Sequence, residues 1–299
     1  MARGLRRSPP PHVYFVVSAV FHYLGPSFAV LLFARVAVLG VAWLRIASAA
    51  AVFSLWRRPW RTFRRAGRDA RALLLAWGAV LAVMNCCFYE AIARLPLGTV
   101  AAIEFLPVIV LAALGARTTR NGAALLLAVP GVYLLTDVRL AGEPLGVAFA
   151  AANAVLFAAY IVLAHRVARR DDVGGIDGLA MAMLIAVLAV TPLGGWEAAP
   201  AFLDPVALLA GIGVGLSSSV IPYVSDQLAM RRLPRATYAL MVSLLPATAT
   251  VVGIVVLAQV PSPVEVLGVA LVVAGVAVHR EPAQPDALHV DEPAAATAA

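Results

Sequence analysis

Residues 72–115 read ALLLAWGAVLAVMNCCFYEAIARLPLGTVAAIEFLPVIVLAALG, and this stretch decides the fold class. It holds only three charged side chains, Glu90, Arg94 and Glu104, in two apolar blocks joined by a turn at Leu95-Pro96. A helix needs roughly 20 apolar residues to cross the hydrocarbon core of a bilayer. The stretch therefore predicts two transmembrane helices that run in opposite directions.

Apolar blocks of similar length fill most of the remaining chain. The 299 residues are 62% hydrophobic and 13% charged, whereas a soluble domain carries about a quarter charged residues. The sequence thus predicts an all-α integral membrane protein of about ten transmembrane helices, with a disordered, acidic, Ala/Pro-rich tail at 281–299. The blocks lie at 12–33, 36–56, 72–93, 99–116, 122–136, 144–165, 175–195, 203–230, 236–257 and 263–279.

The basic residues predict the orientation of these helices. All 23 are Arg; 19 fall in one set of alternate loops and termini, three in the other set, and Arg45 lies within a block. Loops rich in Arg stay on the cytoplasmic side of a membrane. We therefore expect a multi-pass protein of the bacterial inner membrane with both termini cytoplasmic. Membrane orientation explains this placement better than nucleic-acid binding does, so we expect membrane lipid and no nucleic acid among the partners.

A short internal repeat predicts two halves. In each half a Leu-Pro turn is followed, at the same spacing, by Thr and then by an apolar block that contains a proline. Because each half has five helices, an odd number, the two copies have opposite orientations in the membrane. Such inverted repeats build many secondary transporters. We expect a first half at 12–136 and a second half at 144–279. The matched residues are Leu95-Pro96, Thr99 and Pro107 in the first half, and Leu233-Pro234, Thr237 and Pro246 in the second.

Charged residues inside the apolar blocks are the main candidates for function. A charge near the middle of a bilayer costs about 2.5–3.5 kcal/mol, so such residues usually face a cavity or a partner. Glu104, with Pro107 one turn further on, is the first candidate for binding a proton or a substrate ammonium. A salt bridge between Glu104 and Arg45 is the structural alternative. Glu90 and Arg94 are spaced as an interfacial ion pair.

Further polar residues predict a substrate or proton pathway, although each also has a structural interpretation. Small residues on one face of the eighth block suit close helix packing, and its Pro and Asp suit a gate or proton exit. Two other stripes place amides and aromatics on one helix face, which suits a cavity for an amphipathic solute. An interhelical hydrogen bond would explain either Asn equally well. Pro107, Pro222 and Pro246 are candidate hinges, and His22 suits polar packing. The stripes are Gly211, Gly215, Ser218, Pro222 and Asp226; Asn85 and Tyr89; and Asn153, Phe157 and Tyr160.

Enzymatic and cofactor motifs are absent from the sequence. It has no Walker A loop, dinucleotide-binding glycine motif, HExxH or GxSxG sequence, and its five His residues are scattered singly. We therefore predict no cofactor or metal and a secondary transporter for a small molecule, with a membrane enzyme and a channel as rivals. Cys86 and Cys87 are interpreted as buried apolar residues. A monomer and a homodimer are both open.

In the order and spacing of its motifs, the chain resembles the drug/metabolite transporter superfamily with tandem EamA-type halves, and within it the threonine/homoserine exporter family. The resemblance implies a ten-helix inverted-repeat exporter of small amino acids or related metabolites, coupled to protons. Uptake, or transport of a drug-like or lipid-linked compound, is the alternative. The similar segments run from Leu44-Arg45 to Pro59-Trp60-Arg61, from Met84-Asn85 to Pro96-Leu97-Gly98, through Glu104-Phe105 and Tyr160-Ile161, and from Pro222-Tyr223 to Arg232-Leu233-Pro234.

The chain departs from the family pattern at three places. Leu245 stands where the family has Glu, Ala258-Gln259 where it usually has Gly-Glu, and Phe157 where it has Trp. Because an acidic group is lost and an aromatic residue is changed, we expect a remodelled cavity.

The predicted orientation can be tested by labelling single cysteines on intact cells. In a Cys86→Ala, Cys87→Ala background, we expect an impermeant thiol reagent to label Glu143→Cys, which is predicted to be external. It should spare Arg64→Cys, because that loop is predicted to be cytoplasmic. Permeabilised cells, in which both positions should react, provide the control. Labelling at position 64 but not at 143 would reverse the orientation.

Overall fold

The computed structural model describes residues 11–278 apart from 116–117, 141, 169, 171, 174, 223–224 and 226–244. Within this part of the chain every regular element is helical. The predicted tail at 281–299, Asp226 and the second Leu-Pro turn with its Thr237 lie outside the described residues. The first half contributes α1 (Pro11–Leu32), α2 (Val38–Arg57), the short α3 (Pro59–Arg65), α4 (Arg68–Ile92), α5 (Leu97–Gly115) and α6 (Thr119–Leu140).

The second half contributes α7 (Pro144–Ala168), α8 (Gly175–Val190), α9 (Pro205–Gly215), α10 (Leu245–Leu257) and α11 (Pro263–Val278). Helical structure continues beyond α8 to Leu203, first through a π-helical turn at Thr191–Gly195. A second π-helical turn, Leu216–Val220, follows α9 directly. Such turns are rare, and they frequently mark functional sites.

The helices match the predicted apolar blocks and confirm an all-α membrane protein. By length and composition α2, α4, α7 and the helical run from Gly175 to Leu203 can cross a membrane, and six shorter apolar helices lie in the other blocks. The fifth block, predicted at 122–136, is longer than expected. Helix α6 has 22 residues because it also includes residues 119–121 and 137–140, where polar side chains end the apolar pattern.

Contacts between helices occur in matched pairs across the two halves. Helix α4 packs on α7 and α8, while α9 and its π-helical continuation pack on α1 and α2. Helix α5 packs on α7, as α10 packs on α1. Three further contacts join equivalent helices of the two halves, namely α2 with α8, α5 with α10 and α6 with α11. This pattern is the one expected when two similar five-helix units face each other.

Glycines allow the closest helix contacts. A Cβ atom added to Gly268 of α11 would lie 2.9 Å from the carbonyl oxygen of Gly131 in α6. On α9, a Cβ at Gly215 would lie 2.6 Å from the Arg45 carbonyl oxygen in α2, and one at Gly211 would lie 2.7 Å from Leu44 Cδ1. The small residues at the start of the predicted α9 stripe therefore serve close packing, as is common in membrane proteins.

Helix α2 is tied to the second half at both of its ends. At the predicted external end, Arg35 forms an ion pair of 2.9 Å with Asp204, which also caps α9. Hydrogen bonds from the Ala207 amide, and then from Arg35, lower the pKa of Asp204. At the predicted cytoplasmic end, Arg57 Nε lies 2.6 Å from Asp177 Oδ1.

Substitution of two glycines in the same helix tests this packing. Gly215→Ala should lower the free energy of unfolding by about 1–3 kcal/mol, because its Cβ meets a backbone carbonyl that cannot move away easily. Gly213→Ala is the matched control, since no atom of the described residues lies within 4 Å of its Cβ and alanine favours a helix. Thermal and denaturant unfolding in one detergent measure both variants. Equal stability of the two would contradict the close contact.

Candidate functional site

Four of the predicted site residues, Arg45, Tyr89, Glu104 and Asn153, come together between the two halves. The Arg45 guanidinium carbon lies 5.5 Å from the centroid of the Tyr89 ring. Asn153 Nδ2 donates a hydrogen bond of 3.1 Å to Glu104 Oε1. Ser218 lies beside Tyr89 and Arg45, and Tyr23 lies within electrostatic reach of Glu104; we name the six residues together the polar cluster.

The polar cluster lies within the apolar part of the bundle. Arg45 and Glu104 each lie seven residues after the start of their helices, α2 and α5. At 1.5 Å per residue this places both about 10 Å from the predicted external ends. The two side chains are therefore at a similar depth, although they lie on different helices.

Glu104 is a buried carboxylate whose hydrogen-bond partner is neutral. It is 7% exposed and accepts from Asn153 of α7. Arg45 lies within electrostatic reach of Glu104, but the two side chains form no ion pair in the described structure. The salt bridge considered from the sequence is thus absent there, and the contact of Glu104 with Asn153 joins the two halves.

Arg45 makes its hydrogen bonds to the π-helical turn that follows α9. Its Nε donates to Ser219 Oγ at 3.3 Å, and its Nη2 donates to the Ser218 carbonyl at 3.4 Å. Pro222 lies four residues after Ser218 and has no N–H, so the Ser218 carbonyl lacks its α-helical donor. Arg45 supplies a donor to this carbonyl, where an unpaired acceptor would be costly.

Several buried polar atoms in the cluster have no hydrogen-bond partner in the described structure. They are the hydroxyls of Tyr23, Tyr89 and Ser218 and the side-chain oxygen of Asn153. Leaving such an atom unpaired costs about 1–3 kcal/mol, and native proteins leave few. Because four of them lie around two opposite charges, we take the polar cluster as the candidate site.

The other predicted pathway residues lie outside the cluster. Asn85 Nδ2 donates to the Leu81 carbonyl of its own helix. Tyr160 stacks on Phe157 with a centroid distance of 6.2 Å, and the ring of Trp77 on α4 lies 5.7 Å from that of Tyr160. These aromatics lie nearer the predicted cytoplasmic end of α7.

The remaining candidates have structural contacts. Glu90 and Arg94 form the ion pair that their spacing predicts. Pro107 lies within the continuous helix α5, and Pro246 is buried in the first turn of α10. His22 contacts the edge of Tyr23, with 5.1 Å between ring centroids, as expected of polar packing.

Two cluster contacts were missed in the sequence. Tyr23 was not singled out, because one Tyr in an apolar block is unremarkable. Ser218 was assigned to packing, and Ser219 was not considered. The polar run Ser217 to Ser219, three residues before Pro222, is the signal that could have drawn attention to this turn. Serine-rich segments beside a proline offer both side-chain hydroxyls and unpaired carbonyls.

The described residues form an all-α fold with ten apolar helical segments and hold opposite charges between packed helices, as is typical of polytopic membrane proteins of the transporter class. Comparison with known proteins agrees. Residues 144–279 match the model of the EamA-like transporter family. The resemblance to the drug/metabolite transporter superfamily is confirmed.

Curated relatives match along most of the chain. It is 29% identical over 282 residues to the threonine/homoserine exporter RhtA of Escherichia coli (strain K12), covering 92% of this chain and 93% of the relative. Identity to the exporter of the same name from Salmonella typhimurium (strain SL1344) is 29% over 269 residues, covering 86% and 88%. A crystal structure of a protein that is 20% identical matches with a TM-score of 0.56, covering 89% of this chain and 96% of that one, and supports the fold.

A double-mutant cycle tests the contact between Arg45 and the turn before Pro222. Arg45→Met should lower the free energy of unfolding by about 1–3 kcal/mol, because it removes the hydrogen bonds of Arg45 to Ser219 and to the Ser218 carbonyl. In a Pro222→Ala background the same change should cost less, since the alanine introduced there has an N–H that can pair with that carbonyl. Denaturant unfolding of the four proteins in one detergent measures the coupling. A coupling energy of zero would show that Arg45 does not satisfy this carbonyl.

Proposed function

We propose that this protein is a secondary transporter that exports small amino acids such as threonine and homoserine across the bacterial inner membrane. It works by alternating access between inverted halves at 12–136 and 144–279, with both termini cytoplasmic. The observation that carries the proposal is Glu104, a buried carboxylate without an ion-pair partner among the described residues. The relatives named threonine/homoserine exporters support the choice of substrate.

Glu104 also carries the proposed coupling to protons. A carboxylate in an apolar region is costly to keep charged, so a proton or a cationic group stabilises it. Its Asn153 partner lies in the other half, so relative movement of the halves would change how well the carboxylate is solvated and hydrogen-bonded. A group whose surroundings change in this way can take up a proton on one side of the membrane and release it on the other.

The substrate is tested with purified protein in liposomes. We expect counterflow of labelled threonine or homoserine, and we expect overproduction in cells to lower the internal concentration of a toxic analogue. Counterflow with drug-like or lipid-linked compounds and with none of a broad amino-acid panel would instead assign the protein to the rival substrate class. Liposomes that contain no protein provide the baseline.

The coupling role is tested with Glu104→Gln, which resembles the protonated acid and should fold. We expect it to abolish transport driven by a pH gradient while sparing exchange of substrate across the membrane. Glu90→Gln is the matched control, because Glu90 pairs with Arg94 outside the polar cluster and should not affect coupling. Normal gradient-driven flux in Glu104→Gln would end the proton-carrier role.

A further inference from the structure

Opposite charges in the polar cluster are held apart and not paired with each other. The guanidinium of Arg45 and the carboxylate of Glu104 lie within electrostatic reach, but each makes its hydrogen bonds to neutral groups. Separated charges in an apolar region cost more than a contact ion pair. A molecule that carries both charges and fits between them would therefore recover energy that the protein alone does not.

The side of the cluster around Arg45 offers hydrogen-bond donors. Of the five N–H groups of Arg45, one at Nε and one at Nη2 have protein acceptors in the described structure. The hydroxyls of Tyr89 and Ser218 lie beside it, and both are buried. A guanidinium with two hydroxyls matches the oxygens of a carboxylate, which accept several hydrogen bonds.

The side around Glu104 offers acceptors. Oε1 of Glu104 accepts a hydrogen bond from Asn153 Nδ2, and Oε2 is the second acceptor oxygen of this carboxylate. The Asn153 oxygen and the Tyr23 hydroxyl are buried and lack a partner among the described residues, and Tyr23 lies within electrostatic reach of Glu104. Together with Oε2, these oxygens match the three N–H donors of an ammonium group.

We infer that the polar cluster binds the zwitterionic head of an α-amino acid in one orientation, with its carboxylate at Arg45, Tyr89 and Ser218 and its ammonium at Glu104, Asn153 and Tyr23. This inference rests on the proposed function and adds to it a recognition rule. An organic amine alone would leave the donors unfilled, and an organic anion alone would leave the acceptors unfilled. The site thus requires both charges on one small molecule.

Three probes test recognition of the carboxylate and recognition of the ammonium group separately. They are L-threonine, its methyl ester, which lacks the carboxylate, and N-acetyl-L-threonine, which lacks the ammonium. For purified wild-type protein in detergent, isothermal titration should give both analogues at least about tenfold weaker binding than L-threonine, because each leaves one set of buried polar groups unpaired. Analogue affinities equal to that of L-threonine would overturn the inference.

Two tyrosine variants identify which residue binds each charged group of the ligand. Tyr89→Phe should weaken the binding of L-threonine and N-acetyl-L-threonine by about tenfold and leave the affinity for the methyl ester unchanged. Tyr23→Phe should weaken the binding of L-threonine and the methyl ester and leave the affinity for N-acetyl-L-threonine unchanged. Each change removes one hydroxyl from a buried ring. Tyr133→Phe is the matched control, because Tyr133 is exposed on α6 and should alter no affinity.

The outcomes distinguish this inference from the proposed function. Suppose that liposomes with the wild-type protein exchange L-threonine, but that the Tyr23 and Tyr89 variants bind all three probes equally more weakly, or bind none more weakly. The oriented site is then wrong and the transport function stands. If L-threonine is neither bound nor exchanged, both the oriented site and the amino-acid substrate are wrong. The reverse assignment of the two tyrosines would invert the orientation and also contradict the inference.

Discussion

The absence of water within a bilayer is the constraint on which the structure depends. Each polar group placed there must find its partner in the chain or in a ligand. At Pro222 the helix loses a donor, and Arg45 from a different helix supplies one to the Ser218 carbonyl. The charge on Arg45 is thus held where the backbone needs it. Glu104 is placed in a similar way by Asn153, so both charges have defined positions before any ligand arrives.

The polar cluster draws on both halves of the molecule, so in the proposed transporter ligand binding would depend on how the halves are arranged. Tyr23, Arg45, Tyr89 and Glu104 come from α1, α2, α4 and α5, whereas Asn153 and Ser218 come from α7 and the turn after α9. The halves meet through helices that approach closely at glycines, as at Gly131 and Gly268. A backbone contact of this kind suits small rigid rotations better than gradual deformation. A rotation of one half would change the distance between the donors at Arg45 and the acceptors at Asn153.

The sequence predicted the fold well and the site in part, for a physical reason. Long apolar blocks have high contrast with Arg-rich loops, so the helices could be located from composition. Arg45 and Glu104 stood out because charge in an apolar block is expensive. Which residues they contact depends on the rotation of each helix about its axis, and helices that are apolar all round give little periodicity from which to read it. For Asn85, the sequence did not reveal that its Nδ2 donates to the Leu81 carbonyl of its own helix.

Two of the departures expected from the family resemblance, Ala258 and Gln259, lie at the end of α10 and outside the polar cluster. Gln259 Oε1 accepts a hydrogen bond of 3.0 Å from the Leu97 amide at the start of α5. A carboxylate at this position could accept the same bond, so Gln keeps the cap without the charge. Ala258 has φ 54°, a conformation that glycine adopts without steric cost. Both residues therefore concern the ends of helices, and the charges at Arg45 and Glu104 do not depend on them.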